Sequence, residues 1–80
     1  MNEIDLRSEI PDAANAIEIR VSTTPAGGVL EIFRSLDDDD PLIMPDGADT
    51  ILGAPEDRRL FVVPRGALKS FRLELVRWFK

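Results

Sequence analysis

Four consecutive carboxylates, Asp37-Asp38-Asp39-Asp40, form the densest concentration of chemically capable side chains in the chain. Hard cations such as calcium gather about six to eight oxygen ligands, so an Asp run invites a metal reading. The spacing fails that pattern: the sixth position from Asp37 is Leu42 instead of glycine, and the twelfth is Ala48 instead of glutamate. A looser site would have to recruit Asp46 and Asp49. A like-charged run more ordinarily repels itself into an extended, solvated loop, and the loop is the expectation. The other carboxylates are many and scattered. Glycoside hydrolysis needs one carboxyl with a raised pKa in a cleft beside one that stays ionised, and eighty residues seldom form a cleft. Nucleophilic catalysis lacks its parts, because the chain has no Cys, His or Tyr. A Ser–Lys pair would draw on Lys69 or Lys80 with Ser8, Ser22, Ser35 or Ser70, yet the adjacent Lys69 and Ser70 would point to opposite faces of a strand. Ala26-Gly27-Gly28 has neither the G-x-G-x-x-G spacing nor a following Gly-Lys-Ser/Thr, and reads as a turn. A protein without enzymatic activity, cofactor or metal is expected.

The set that remains is C-terminal: Arg58, Arg59, Arg65, Lys69, Arg72, Arg77 and Lys80, interleaved with Phe71, Trp78 and Phe79. It belongs to a sharp charge split. Residues 1–57 hold fourteen of the fifteen acids against three bases, a net of −11; residues 58–80 hold seven bases against Glu74 alone, a net of +6. Cations with stacking aromatics can hold single-stranded nucleic acid. Alternatively the bases face acidic strands of their own sheet as cross-strand pairs, or meet the acidic half of a neighbouring copy. Pairing within or between copies is preferred, since the overall −5 charge opposes binding of a polyanion. Trp78 and Phe79 stand where a terminus would otherwise fray, so they dock, either into the protein's own core or onto another protein. Trp and Arg are enriched at binding hot spots. Arg72, Arg77, Trp78 and Phe79 are therefore the candidate partner-binding residues.

Strands must position these groups. Ile17-Glu18-Ile19-Arg20-Val21-Ser22 alternates, placing Ile17, Ile19 and Val21 on one face. Thr23-Thr24-Pro25-Ala26-Gly27-Gly28 supplies turn chemistry, and Val29-Leu30-Glu31-Ile32-Phe33-Arg34 resumes a β pattern. The two runs predict an antiparallel hairpin. Ile4, Leu6 and Ile10 predict a first strand over 3–8, with a connection at Asp12-Ala13-Ala14-Asn15 that could hold one helical turn. Residues 37–57 carry three prolines, two glycines and seven Asp, which excludes a long helix. Short strands near 42–44 and 49–52 fit there, joined at Asp46-Gly47. Arg59-Leu60-Phe61-Val62-Val63 reads as a buried strand closed by Pro64-Arg65-Gly66. The last segment reads two ways. A helix would align Leu68, Phe71, Leu75, Trp78 and Phe79; a strand would align Phe71, Leu73 and Leu75, then slip phase at Val76 to turn Trp78 inward. The β context favours the strand.

Eighty residues bound one domain with a small core. Without Cys or His, disulfides and the usual zinc sites are excluded, so partner subunits are the support that fits best. The acidic N-terminus has no apolar h-region, so no secretory signal is expected. No run approaches the ~18 apolar residues of a membrane helix, and the lack of Cys suits a reducing cytoplasm. The chain is expected to be mostly β, one domain over 1–80. It would be a small antiparallel β-sandwich or open barrel of five to seven short strands, with an irregular acidic segment at 37–57.

Residues 4–36, with Ile4-Asp5-Leu6, Ile10-Pro11-Asp12-Ala13-Ala14 and Ile17-Glu18-Ile19-Arg20-Val21, resemble small β-sandwich accessory proteins of tailed-phage virions. That resemblance implies a structural role: decorating or cementing a capsid, or lining a tail or fibre junction. It implies no catalytic or ligand motif. The expected partners are copies of the chain or a larger structural protein, with nucleic acid and membrane disfavoured. A binding module for single-stranded nucleic acid or a glycan, and an inhibitor of another protein, remain open alternatives.

Overall fold

The computed structural model describes residues 1–80, and alternation sets its faces. In β2 (Ala16–Thr24), Ile17, Ile19, Val21 and Thr23 are buried while Arg20, Ser22 and Thr24 are exposed. In β3 (Val29–Phe33), Leu30 and Ile32 are buried. The other strands are β1 (Asn2–Asp5), β4 (Leu42–Pro45), β5 (Asp49–Gly53), β6 (Arg59–Arg65) and β7 (Ser70–Phe79), and there is no helix. All pair antiparallel, in a four-stranded sheet ordered β1-β6-β3-β4 and a three-stranded sheet ordered β5-β2-β7. Ile17, Ile19 and Val21 from one sheet pack with Leu30, Ile32, Met44, Leu60 and Val62 from the other, and Leu6 and Ile10 complete the core. The molecule is a seven-stranded β-sandwich.

The hairpin expected from β2 and β3 does not form. β2 pairs with β5 and β7, whereas β3 pairs with β4 and β6. The link between them is an arch that carries the chain from one sheet to the other. Period-two alternation tells which side of a strand is buried, and says nothing about its hydrogen-bonded neighbour. Side by side in one sheet, the two apolar faces would still need a cover; across the arch they cover each other.

A single carboxylate locks this arch. Asp46, in the turn between β4 and β5, accepts Thr23 N–H through Oδ1 at 2.9 Å and Gly27 N–H through Oδ2 at 3.0 Å. Its own N–H donates to the Gly28 carbonyl at 2.8 Å. The N–H bonds from Gly27 and Thr23 hold the Asp46 carboxyl below the ordinary carboxylate range. Folded Asp46 thus releases its proton more readily than unfolded Asp46. Its contribution is fully present above the unfolded pKa and is lost as pH falls through the depressed folded one. Asp46→Ala is expected to lower the thermal midpoint near neutral pH and to flatten its decline on acidification, read by circular dichroism across a pH series.

Three further expectations need correction. The first strand ends at Asp5, short of residue 8. Leu6 and Ile10 are nevertheless buried, because the chain coils there: Glu9 N–H and Ile10 N–H both donate to the Leu6 carbonyl at 3.0 Å. The helical turn is therefore at 6–10, while 12–15 holds only a tighter turn closed by Ala14 N–H on the Pro11 carbonyl at 3.1 Å. Lastly, Pro64 does not close β6, which runs to Arg65. β1 pairs with β6 only over 59–62, so Pro64 lies on an open edge where its missing N–H costs no ladder bond.

The C-terminal segment is a strand, and its register against β2 slips at Val76, between the Leu75–Ile19 and Arg77–Glu18 pairs. The bulge returns Trp78 to the core-side register opposite buried Ile17.

Candidate functional site

β7 is the longest strand, ten residues, and it lies at the edge of its sheet with β2 on one side only. Its backbone direction follows from β2. Val21 donates its N–H to the Ala48 carbonyl at 3.0 Å and accepts Gly47 N–H at 2.9 Å, so its main chain turns toward the β5 side. By alternation Arg20 and Ser22 turn toward β7, where they stand opposite Glu74 and Arg72. Glu74 and Arg72 therefore turn their main chains to β2, and Phe71, Leu73 and Leu75 turn theirs outward. No backbone group outside β2 bonds to those three residues. A row of unpaired donors and acceptors is a template for another strand.

All four candidate partner-binding residues lie on β7, on two faces. Arg72, Arg77 and Phe79 stand opposite Ser22, Glu18 and Ala16 on the outer face, whereas Trp78 stands opposite Ile17 on the core side. Trp78 is not swallowed by the core: it is 39% exposed, at the open end of the sandwich. Phe79 is half-buried, and its carbonyl accepts Asn15 N–H at 2.8 Å. Arg77 Nε meets Glu18 Oε1 at 2.9 Å. Arg72 has no acidic partner.

The basic segment is largely consumed within the molecule. Arg58 donates to the carbonyls of Arg7 and Ile10 at 3.2 Å each and meets Asp12 at 3.1 Å, stapling the 6–12 coil. Arg59 meets Asp57 at 2.7 Å and Glu3 at 3.4 Å, and Arg65 meets Glu31 at 2.6 Å. Lys69, Arg72 and Lys80 are the bases left without an ion pair. The charge split along the chain is thus folded largely onto itself, because β7 and β6 lie among acid-bearing neighbours.

Beside the Arg77–Glu18 pair, Arg20 meets Asp49 at 3.0 Å. A hydrogen bond with Asp49, then burial, pushes the Glu18 carboxyl up, while the same bond holds Asp49 down. Two neighbouring carboxyls resist ionising together. They occupy an open sheet face, and neither of the two lateral grooves is lined by them.

The Asp37–Asp40 run does not gather into a cation site with Asp46 and Asp49. Those two sit beyond the far end of β4, and no cluster of three carboxylates forms. Asp38 is occupied as a turn acceptor, taking Arg34 N–H at 3.1 Å and Asp40 N–H at 3.0 Å. These bonds hold its carboxyl below the usual range.

The open sides of the sandwich carry the grooves. One, about 340 Å³, runs between β4 and β5, lined by Leu42, Ile43, Ile51 and Leu52 together with Arg34 and Asp40. The other, about 460 Å³, runs between β1 and β7, lined by Ile4, Leu6, Leu73 and Leu75 with Asp5, Glu9, Arg72 and Glu74. Sequence reasoning does not find these grooves, since they depend on which strands end each sheet. It also passes over Glu74, the lone acid of the basic stretch, which on the folded strand stands two residues from unpaired Arg72. No known family model matches the chain, and neither the curated proteins nor the solved structures include a match.

Proposed function

We propose that this chain is a non-catalytic structural module that assembles with copies of itself or with a larger structural protein, using the β7 side of the sandwich. The observation that carries this reading is the unpaired edge over Phe71–Leu75, which includes Arg72, free of any ion pair, and is followed by half-exposed Trp78. Proteins blunt such edges with bulges, prolines or covering loops. β7 has a bulge only at Val76, so 70–75 keeps an unbroken register against β2. A small core without disulfides also gains from subunit contacts. The likeness of residues 4–36 to accessory proteins of tailed-phage virions makes a capsid or tail the assembly we favour.

Light scattering across a concentration series tests the reading. The expected result is a mass rising from the 8.9 kDa protomer to a defined multiple. A strict monomer up to about 1 mM, where even a millimolar association is half formed, removes self-assembly and leaves only a larger protein as partner.

A further inference from the structure

We infer that β7 pairs antiparallel with β7 of a second copy, about a two-fold axis through Leu73, to form one continuous six-stranded sheet across a dimer. This deepens the assembly reading and rests on it, by naming the partner and the register.

The segment Phe71-Arg72-Leu73-Glu74-Leu75 is self-complementary when read against its own reverse. With Leu73 opposite the partner's Leu73, Arg72 meets the partner's Glu74 and Glu74 meets the partner's Arg72. Phe71 meets the partner's Leu75, and Leu75 the partner's Phe71. The backbone agrees with this register. The outward-turned residues are Phe71, Leu73 and Leu75, and these are the ones that would exchange hydrogen bonds in it. Arg72 and Glu74 would then occupy non-hydrogen-bonded pairs, where opposed Cα atoms approach to about 4.5 Å and side chains interact most closely. The neighbouring registers permitted by the same backbone direction fail on charge. One sets Arg72 against the partner's Arg72, and the other sets Glu74 against the partner's Glu74, and like charges directly opposed are unfavourable.

The two side chains are also free for the purpose. Arg72 and Glu74 make no ion pair within the chain. Arg20 stands opposite Glu74 but turns to Asp49 instead, at 3.0 Å. On the core side, the partner's Phe71 and Leu75 would lie over the groove whose apolar lining is Ile4, Leu6, Leu73 and Leu75. The ladder would stop near Val76, where the bulge breaks the register. A contact that uses the same patch on both copies closes as a dimer and does not propagate.

Charge reversal with mixing tests the proposal, read by sedimentation equilibrium up to about 1 mM protomer. The wild-type chain is expected to reach twice the 8.9 kDa protomer mass. Arg72→Glu alone and Glu74→Arg alone each confront like charges twice in the dimer, and each should weaken association about tenfold or more. A 1:1 mixture of the two variants should associate again, because every confrontation is then of opposite sign. The double variant Arg72→Glu/Glu74→Arg should self-associate as the wild type does. Circular dichroism identifies any variant that fails to fold, and in that case Arg72→Ala and Glu74→Ala, each expected to weaken the dimer less than reversal, replace it. A wild-type dimer indifferent to both reversals, or a mixture no tighter than its parts, overturns the β7 pairing while leaving assembly through another face intact. A wild-type monomer throughout overturns the pairing and self-assembly together.

Discussion

Ile19→Ala is expected to bring the domain to the verge of unfolding. Ile19 is fully buried in the central strand of the three-stranded sheet, between Thr50 of β5 and Leu75 of β7. Truncating a buried isoleucine removes its transfer free energy and leaves a cavity that a β-sheet cannot readily collapse, at a cost of about 2–5 kcal/mol. A domain of this size carries only about 4–12 kcal/mol in total, so this one side chain is a large share. Urea unfolding should show a midpoint lower by about 2 M with an unchanged slope. Ile51, 60% exposed on the outer face of β5, supplies the contrast: Ile51→Ala should move the midpoint little. Equal effects from the two substitutions would contradict the assignment of faces.

Gly28→Ala should be the second most damaging change, for the opposite reason. A Cβ at Gly28 would stand 2.6 Å from Leu68 Cδ2, 2.8 Å from Thr23 Oγ1 and 3.0 Å from Thr23 Cβ. The leucine methyl can swing aside. Thr23 cannot, because its hydroxyl donates to the Pro25 carbonyl at 2.8 Å and accepts Gly28 N–H at 2.9 Å, while its own N–H is held by Asp46. Relieving the overlap means shifting the arch, which costs about 1–3 kcal/mol for overpacking of this kind. Gly53, with nothing near an added Cβ and no positive φ, is the control. Gly53→Ala should leave the thermal midpoint unchanged or slightly higher.

Much of this fold is legible in the sequence because burial on one face leaves a period-two mark. The positions of β2, β3 and β6 follow from Ile17-Ile19-Val21, Leu30-Ile32 and Leu60-Val62, and the slip at Val76 follows from the phase of Trp78 against Leu75. Sheet membership leaves no such mark. An alternating strand looks the same whether its successor lies beside it or across the core, which is why β2 and β3 read as a hairpin. The arch depends on Asp46, nineteen or more residues from the turn bonds it completes at Thr23 and Gly27, and local reading cannot see that far. The candidate site was half visible for the same reason. The basic and aromatic types on 58–80 stand out, but that Arg58, Arg65 and Arg77 are spent on Asp12, Glu31 and Glu18 is decided only by the fold.

The alternation of the chain between sheets also sets the order in which the protein can come into being. Of the six links between successive strands, only β3 to β4 joins neighbours within one sheet. Nearly every ladder thus closes a long stretch of chain, the regime in which domains fold in roughly milliseconds to seconds. β2 in particular waits for Ser70–Phe79, its partner from the far end of the sequence. Until those residues leave the ribosome, Ile17, Ile19 and Val21 have no completed sheet to bury them. Completion of this sheet is therefore expected to wait for the emergence of β7, and until then the apolar face of β2 is exposed to aggregation.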